Sequence, residues 1–468
     1  MFKLHEDRFF DPNPNVREIA RELFHWVKDL PIISPHGHVE QKIFADNLPF
    51  PNPAELFIIP DHYIFRMLYS QGIPLENLGI PRLDGSKVES DPRKIWQIFA
   101  DNYFLFAGTP TGVWLDYEFN IVFGIDEKLN SQNARSIYDS IIAKLNTPEY
   151  LPRNLYKKFN IEVLTTTDAA SDNLEHHKAI IDSGWDARII PCFRPDAVVD
   201  ISKSNWLDNL NLLSESVGYE ITDFDSYLKA LKDRREYFIK FGAVSSDHGV
   251  NSVYTIDLPE YEVKSIFKRA LNGKSDKFDA EKFTGYMLIK FAEMSLEDDL
   301  VMQLHSGARR NHNELIFEKF GADKGCDIPE RVDFTNNLKP LLNKYGNDKS
   351  LSLILFTLDE STYSRELAPL AGHYPAVKLG PAWWFHDSIE GMMRYRKMTT
   401  ETAGFYNTVG FNDDTRAFVS IPARHDLARR IDSNYLAQLT AQHIISVDEA
   451  KKLIVDLSYN LVKKAYRL

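Results

Sequence analysis

Two histidines, His36 and His38, lie one residue apart in the stretch PIISPHGHVE at residues 31–40, directly after a short apolar run. Alternate side chains of an extended strand point to the same face, so we expect the two imidazoles to face the same way, with Cβ atoms about 7 Å apart. This spacing lets two imidazole nitrogens bind one metal ion. A pair of hydrogen-bonded core histidines would have the same spacing, so the pattern alone leaves both interpretations open.

Eight short runs of apolar or β-branched residues predict the strands that would position such a site. They cover residues 31–38, 163–168, 188–196, 243–248, 301–307, 351–359, 376–385 and 408–414. The segments between them carry helical signals, such as the apolar repeat of residues 131–145 behind a cap at Ser131, and a capping box at Ser446 and Glu449. Eight strands that alternate with helices predict a parallel (β/α)8 TIM-like barrel.

The ends of the predicted strands carry many ionisable side chains. In a (β/α)8 barrel the residues that perform chemistry lie at the C-terminal ends of the strands and in the loops that follow. Those ends hold His36 and His38, Asp168, Arg194, Asp247 with His248, His305, Trp383 with Trp384, and Asp413 or Asp414. This collection of histidine, carboxylate and arginine favours a metal-dependent active site over purely structural histidines.

The spacing of the strands predicts an uneven domain organisation. Residues 39–154 separate the first two strands, which is too long for one crossover helix, and this interval is rich in aromatic residues and helix-like patches. We therefore expect a helical subdomain at 39–154, inserted into a barrel formed by residues 1–38 and 155–468. The interval 249–300 and the segment after residue 417 also have helical patterns.

The composition excludes several classes of partner. A net charge of -12, with no long basic run, disfavours nucleic acid. Two cysteines do not provide a disulfide framework, which favours a reducing compartment. The first residues are charged rather than signal-like, and no apolar run approaches the roughly 18 residues of a membrane span. We expect a cytoplasmic protein with a small-molecule substrate and no membrane partner, and leave a homo-oligomer open.

Several sequence blocks, in order, resemble the uronate isomerase (glucuronate isomerase) family of the amidohydrolase superfamily. The blocks are DHYIFRML at 61–68, TTTDAASDNLEHH at 165–177, FRPD at 193–196, SSDH at 245–248, QLHSGARRN at 303–311, AWWFHD at 382–387, and DTRAF with RH between 414 and 425. The departures are small: Val39 stands where the family often has Leu, and a Trp more usual before the Arg is absent from CFRPD at 192–196. The resemblance implies a barrel enzyme with a catalytic metal.

The resemblance implies one divalent metal ion, zinc or manganese, bound by His36, His38 and Asp414. The family pattern Asp-x-Arg is met by Asp414 and Arg416, which favours Asp414 over Asp413 as the ligand. Neighbouring residues of a strand also point to opposite faces, so only one of the two aspartates can face the site. His305 is a candidate fourth ligand or hydrogen-bond donor. The fourth strand ends SSDH without a lysine to carry a bridging carbamate, which favours one metal over two.

An aldose to ketose isomerisation moves a proton from C2 to C1 through an enediol, and this needs a base and stabilisation of a developing oxyanion. The resemblance implies that Asp414 takes the proton, that Arg416 tunes its basicity, and that Tyr63 shuttles the hydroxyl proton. A guanidinium can bind the uronate carboxylate with two parallel hydrogen bonds, and Arg194 and then Arg309 are the candidates.

Four further residues complete the predicted binding site. Asp247 is expected to bind a sugar hydroxyl or to orient a ligand histidine, and His305 to contribute from the neighbouring strand. Trp383 and Trp384 are expected to form an apolar wall against the sugar, with one of them in the core.

Two other functions remain open. A metal-dependent hydrolase or deaminase of the same superfamily would use a metal-activated water instead of an enediol. A non-catalytic protein that binds sugar acids would keep the histidines for structure. Arginines at the strand ends and the absent lysine favour the isomerase over the hydrolase, and the number of ionisable strand ends disfavours the binding protein.

Overall fold

The computed structural model describes residues 2–468, and within them nine strands are present. They are β1 (Ile32–Ser34), β2 (Ile161–Ala169), β3 (Arg188–Arg194), β4 (Ser245–Gly249), β5 (Val301–Ser306), β6 (Ala308–Arg309), β7 (Ile328–Pro329), β8 (Leu353–Thr357) and β9 (Val377–Leu379). β1 to β5, β8 and β9 pair side by side in that order in one parallel sheet, whereas β6 and β7 form a separate antiparallel pair. The parallel order is that of a barrel built from successive strand and helix units.

The eighth place in the ring is taken by residues 408–415, which form no regular strand among the described residues. Thr408 bridges Leu379 in parallel, and the backbone N–H of His38 donates to the carbonyl of Thr415 at 2.9 Å. The segment therefore contacts both β9 and the chain that follows β1, and it closes a (β/α)8 TIM-like fold. The predicted position of the eighth element is confirmed, but its prediction as a regular strand is wrong.

Several strands are shorter than predicted, and β1 and β9 differ most from the prediction. β1 ends at Ser34, before Pro35, so the two histidines lie in the following loop rather than in the strand. β9 ends at Leu379, and Pro381 follows shortly after it. Proline lacks the N–H that a parallel ladder needs, which explains both ends.

The helices are arranged in three groups. The first holds α1 (Pro14–Val27), α2 (Lys42–Asp46), α3 (His62–Ser70), α4 (Pro92–Asp101), α5 (Pro110–Tyr117), α6 (Ala134–Leu145) and α7 (Pro152–Lys158). The barrel group holds α8 (Glu175–Asp182), α9 (Asp196–Val199), α10 (Trp206–Val217), α11 (Phe224–Lys240), α12 (Glu260–Leu271), α13 (Lys277–Asp298), α14 (Glu314–Phe320), α15 (Phe334–Asn337), α16 (Lys339–Tyr345), α17 (Ala368–Ala371) and α18 (Ile389–Ala403). The last group holds α19 (Ile421–Ala441), α20 (Val447–Val455) and α21 (Leu461–Tyr466).

Short turns of other helix types connect these elements. The 3₁₀ turns are Leu75–Leu78, Tyr103–Phe106, Pro148–Tyr150, Glu360–Thr362, Phe405–Asn407 and Phe418–Ser420, and the π turns are Ala54–Ile58, Glu118–Val122, Tyr363–Leu367 and Asp456–Asn460. The capping box of Ser446 and Glu449 is confirmed at the start of α20. The predicted cap at Ser131 is wrong, because α6 begins at Ala134 after Asn133.

The interval between β1 and β2 is helical and packs against the barrel. Its aromatic side chains, such as Trp96 and Phe119, share one buried cluster with Leu164 of β2 and with Phe418. The predicted boundary at residue 154 falls inside α7. The division of the chain into a barrel and an inserted subdomain stays a prediction.

The C-terminal helices close the N-terminal end of the barrel. α19 and α20 bury Leu436 and Ile454 against α1. Beyond α21, Arg467 donates to the carbonyls of Asp299 and Ser350, each at 2.6 Å, and these residues precede β5 and β8. The opposite end, where the strands finish, is left for the cavity described below. Over residues 2–468, the helices are all too short or too polar to cross a membrane.

Candidate active site

The structure brings together His36, His38 and Asp414. Asp414 Oδ1 lies 3.5 Å from His36 Nε2 and 3.2 Å from His38 Nε2, and the two imidazole rings are 5.3 Å apart. One ligand atom from each residue lies within 4.8 Å of the others. Two nitrogens and one carboxylate oxygen match the donor set of catalytic sites that hold a divalent cation with three protein ligands.

Asp413 is bonded to a different histidine. Its Oδ2 accepts a hydrogen bond from His425 Nε2 at 3.0 Å. Asp414 has a backbone φ of 38°, in the left-handed region that non-glycine residues rarely adopt. Because residues 408–415 are not a regular strand, the two carboxylates are separated by this backbone turn and not by strand alternation.

His36 also belongs to a second group of possible metal ligands. Ligand atoms of His36, Asp247 and His305 also lie within 4.8 Å of one another. His305 Nδ1 donates to Asp247 Oδ1 at 2.6 Å, and Arg194 Nη1 lies 3.4 Å from Asp247 Oδ2. Within residues 2–468, no hydrogen-bond partner is found for the buried Nε2 of His305. A cation beside His36, or a substrate group that reaches this nitrogen, would satisfy it.

The charges of the site are those that metal binding requires. Burial lowers the pKa of His36 to about 4, although Asp247 and Asp414 oppose this shift. Burial alone would raise the pKa of Asp414, but His36 and His38 hold it below its ordinary value. At neutral pH a neutral imidazole therefore faces an ionised carboxylate, the protonation states that bind a divalent cation. The residues present fit a divalent metal ion.

The group lies at one wall of a cavity of about 790 Å³. His38, Asp414, Tyr63, Arg194, Arg310, Arg416, Trp383 and Trp384 line this cavity. His36, Asp247 and His305 are buried to 3% exposure or less. The volume lies in the range typical of small-molecule sites.

Arg194 enters the cavity from the end of β3. Its Nε donates to Asp196 Oδ2 at 2.7 Å, while its Nη1 faces Asp247. Burial alone would lower the pKa of Arg194, but Asp196 and Asp247 raise it, so the guanidinium stays charged. A Cβ at Gly249 would lie 2.6 Å from Nη2, so the guanidinium has its position because residue 249 has no side chain.

Arg309 does not face the cavity, in contrast to the prediction from sequence. Its side chain is 64% exposed and lies 3.5 Å from Glu330. The next residue, Arg310, lines the cavity instead and donates to Asp327 Oδ2 at 2.7 Å. Adjacent residues in extended chain point to opposite sides, and the sequence does not show which one faces inward.

Tyr63 lies beside a buried ion pair that the sequence analysis missed. Its Oη is 3.4 Å from Asp387 Oδ1, and Arg424 Nη1 donates to Asp387 Oδ2 at 2.8 Å. The Arg424 guanidinium lies 3.6 Å over the ring of Trp114. Burial and the nearby Asp387 raise the pKa of Tyr63 well above its ordinary value, so the phenol keeps its proton. Both ionic residues occur in the sequence blocks AWWFHD and RH, which were the available signal.

Three further predicted residues, Arg416, Trp383 and Trp384, line the cavity. Arg416 lines the cavity, but its Nη2 donates to Asp323 Oδ2 at 2.9 Å, and Asp414 is not among its hydrogen-bond partners in the described residues. Trp383 and Trp384 are both buried and both line the cavity, and the Trp383 ring lies 4.8 Å from that of His305.

Of the two other strand-end residues, His248 lines the cavity and Asp168 does not. Asp168 accepts a hydrogen bond from Thr166 at 2.7 Å and is not among the cavity-lining residues of the described chain. His248 lies in the cavity wall, 3.1 Å from the Ser246 hydroxyl.

Comparison with known proteins gives consistent matches over the whole length. The sequence profile described as UxaC, glucuronate isomerase, matches residues 4–466. A Brucella canis protein named uronate isomerase is 55% identical over 465 residues, which covers 99% of this chain and 100% of that protein. The crystal structure of glucuronate isomerase from Caulobacter crescentus matches with a TM-score of 0.98 and 52% identity, covering 99% of this chain and 97% of that one. Uronate isomerase from Thermotoga maritima matches with a TM-score of 0.92 and 28% identity over 100% of both chains.

Proposed function

Because the chain belongs to the glucuronate isomerase family, we propose that it interconverts D-glucuronate with D-fructuronate and D-galacturonate with D-tagaturonate. The reaction is an aldose to ketose isomerisation. The observation that carries the proposal is the Asp414 carboxylate, which lies against two imidazoles at a cavity that also contains Arg194. A charged guanidinium and a carboxylate in one cavity suit a substrate with a carboxylate and a mobile proton.

The metal site in this proposal consists of His36, His38 and Asp414. The competing group is less suited, because the two oxygens of Asp247 already face His305 at 2.6 Å and Arg194 at 3.4 Å. In the proposal His305 therefore stays with Asp247 and contacts the substrate. Zinc is the proposed ion and manganese the alternative, since two imidazoles and a carboxylate suit either.

The guanidinium of Arg194 binds the uronate carboxylate in this proposal. Asp196 and Asp247 hold it in place, and its remaining N–H groups are available to a planar anion. The rings of Trp383 and Trp384 form the apolar wall against the sugar. Arg309 is not part of the proposed site, because it pairs with Glu330 on the surface.

Asp414 acts as the base and Tyr63 as the group that passes a proton to and from a hydroxyl. A bound divalent ion supplies Lewis acidity, which increases the acidity of a proton next to a coordinated oxygen. The lowered pKa of Asp414 keeps it ionised, so its carboxylate carries no proton at neutral pH. The raised pKa of Tyr63 keeps its phenol protonated and ready to donate. Arg416, which also lines the cavity, supports negative charge in the transition state.

The two competing functions are less well supported. A hydrolase or deaminase of the same superfamily would share the barrel and the metal ligands, but the Brucella canis and Caulobacter crescentus relatives, at 55% and 52% identity, are named isomerases. We further propose that the enzyme works in the cytoplasm. Its two cysteines form no disulfide framework, which suits a metabolic enzyme in a reducing compartment.

The proposed function is tested by turnover in heavy water with D-glucuronate and with D-galacturonate. Proton transfer through an enediol should place solvent deuterium at C1 of the ketouronate, at least in part. A direct hydride shift would leave C1 unlabelled, and a hydrolase would form no ketose.

The same assay tests the base. Asp414→Asn keeps the side-chain shape but removes most of its basicity, so it should abolish both exchange and turnover. Normal exchange of the C2 proton in that variant would remove Asp414 from the role of base and favour Tyr63.

A further inference from the structure

A buried hydrogen-bonded link joins the C-terminal helix to His36. Tyr466 Oη donates to Gln303 Oε1 at 2.9 Å, and Gln303 Nε2 lies 3.5 Å from His36 Nδ1. Tyr466 and Gln303 are fully buried and His36 is 1% exposed. Among the described residues, the cavity lining includes neither Gln303 nor Tyr466, so the link lies outside the cavity.

The position of the link follows from the fold. Gln303 is two residues before His305 on β5, so the two side chains share one face of the strand. Tyr466 is the last residue of α21, and the neighbouring Arg467 binds carbonyls at the N-terminal ends of β5 and β8. The hydroxyl of Tyr466 therefore enters the barrel from its N-terminal end, beneath the proposed metal site.

The contact places the Gln303 amide at the ring nitrogen of His36 that lies away from Asp414. Gln303 Nε2 lies 3.5 Å from His36 Nδ1, whereas His36 Nε2 lies 3.5 Å from Asp414 Oδ1. A metal ion bound between His36 and Asp414 needs Nε2 without a proton. A neutral ring then carries its proton on Nδ1, and this N–H needs an acceptor.

We propose that Gln303 and Tyr466 are positioning residues for His36. When Nε2 of His36 binds a metal ion, the side-chain oxygen of Gln303 accepts from His36 Nδ1–H. The Tyr466 hydroxyl fixes the Gln303 amide by a hydrogen bond that phenylalanine cannot make. The inference rests on the proposed metal site at His36, His38 and Asp414.

The experiment compares zinc dissociation constants, measured by chelator competition, for the metal-free protein and five variants. Gln303→Leu should weaken zinc binding by about 10- to 100-fold, the usual effect of losing a group that orients a ligand histidine. Tyr466→Phe should weaken it in the same direction by a smaller factor. Gln303→Glu should bind zinc at least as tightly as the original protein, because a carboxylate accepts from both Nδ1–H and the Tyr466 hydroxyl.

The matched control is Tyr150→Phe. Tyr150 is also buried, but its Oη donates to the Val122 carbonyl at 2.9 Å in the interval between β1 and β2. This variant should keep the zinc dissociation constant of the original protein. The melting temperature of each metal-free variant shows whether it folds. If Gln303→Leu does not fold, the zinc dissociation constants of Tyr466→Phe and Gln303→Glu test the proposal.

The outcomes of this experiment separate failure of the inference from failure of the proposed metal site. If the original protein binds no zinc, or if His38→Ala binds zinc equally well, the proposed site is wrong and the inference falls with it. If zinc binding requires His38 but Tyr466→Phe and Gln303→Leu keep the original dissociation constant, only the inference is overturned. Equal weakening by Gln303→Glu and Gln303→Leu would also overturn it, since lost packing would then explain both.

Discussion

At the scale of single residues, the position of Arg194 is fixed by its neighbours. Its Nε donates a hydrogen bond to Asp196, and its Nη1 lies 3.4 Å from Asp247. Gly249 has no side chain and so leaves room for Nη2. Fixing a long side chain before the substrate arrives lowers the entropy cost of binding. A guanidinium held in this way is suited to bind a carboxylate with good geometry.

We expect Arg194→Met to raise the KM for D-glucuronate by about 10- to 150-fold, because a charge-assisted hydrogen bond contributes about 1.5–3 kcal/mol. Steady-state kinetics on the folded variant measure this change. Arg309→Met is the matched control, since Arg309 is an exposed arginine outside the cavity, and its kinetics should stay unchanged. A normal KM in Arg194→Met would exclude Arg194 from carboxylate binding.

At the scale of secondary structure, buried ion pairs connect helices that surround the barrel. Arg396 of α18 binds Asp432 of α19 through two hydrogen bonds, at 2.7 and 2.8 Å, and both side chains are buried. The pair joins the last barrel helix to the C-terminal group. Neither charge can be left alone in this position without a large desolvation cost.

Asp432→Ala should therefore lower the free energy of unfolding by about 3–5 kcal/mol, because it leaves the Arg396 charge buried without a partner. Urea unfolding monitored by circular dichroism measures the change. The double variant Arg396→Met with Asp432→Leu should recover most of the loss, since it removes both charges. A loss in the double variant as large as in the single one would contradict this explanation.

Helix α8 carries a buried histidine that links stability to pH. Burial lowers the pKa of His177 from 6.5 to about 4, and its Nε2 lies 2.9 Å from the Thr166 hydroxyl on β2. The unfolded chain binds a proton at this residue below pH 6.5, whereas the folded protein does so only near pH 4. This contribution to stability is therefore complete above pH 6.5 and is lost as the pH falls toward 4.

Relative to His177→Gln, the original protein should lose up to about 1.4 kcal/mol of stability for each pH unit over this window. Urea unfolding of both proteins at several pH values gives this difference. His25→Gln is the control, because His25 is exposed on α1. A constant difference between the original protein and His177→Gln at all pH values would show that His177 does not have a lowered pKa.

At the scale of the whole molecule, the proposed metal ligands come from the first and the last element of the barrel. His36 and His38 follow the first strand, and Asp414 lies in the segment that closes the ring. The His38 N–H bonded to the Thr415 carbonyl is the described backbone contact at this closure. A bound ion would therefore connect the beginning and the end of the barrel.

We expect zinc to raise the melting temperature of the metal-free protein. A ligand that binds only the folded state stabilises it by about 2.7 kcal/mol at a free concentration of 100 times its dissociation constant. Differential scanning calorimetry with and without zinc measures the shift. His38→Ala should lose it, and a shift of the same size in that variant would place the zinc elsewhere.

The sequence by itself determined the fold class and the main candidates for chemistry. Alternating strands and helices specify a parallel barrel, and a barrel places Arg194 and His305 at the ends of its strands and His36 in the loop after the first strand. The capping box at Ser446 and Glu449 was predictable for the same reason, since its partners are three residues apart. The confirmed features depend on local spacing and on the order of the strands.

Tertiary structure alone decided which of several neighbouring side chains enters the cavity. Arg310 rather than Arg309 lines the cavity, and although the family pattern already favoured Asp414 over Asp413, the left-handed backbone turn at Asp414 is visible only in the structure. The pairing of Asp387 with Arg424 joins residues far apart in the chain. These choices depend on backbone torsion and on contacts between distant segments, and the pattern of residue types along the chain carries neither kind of information.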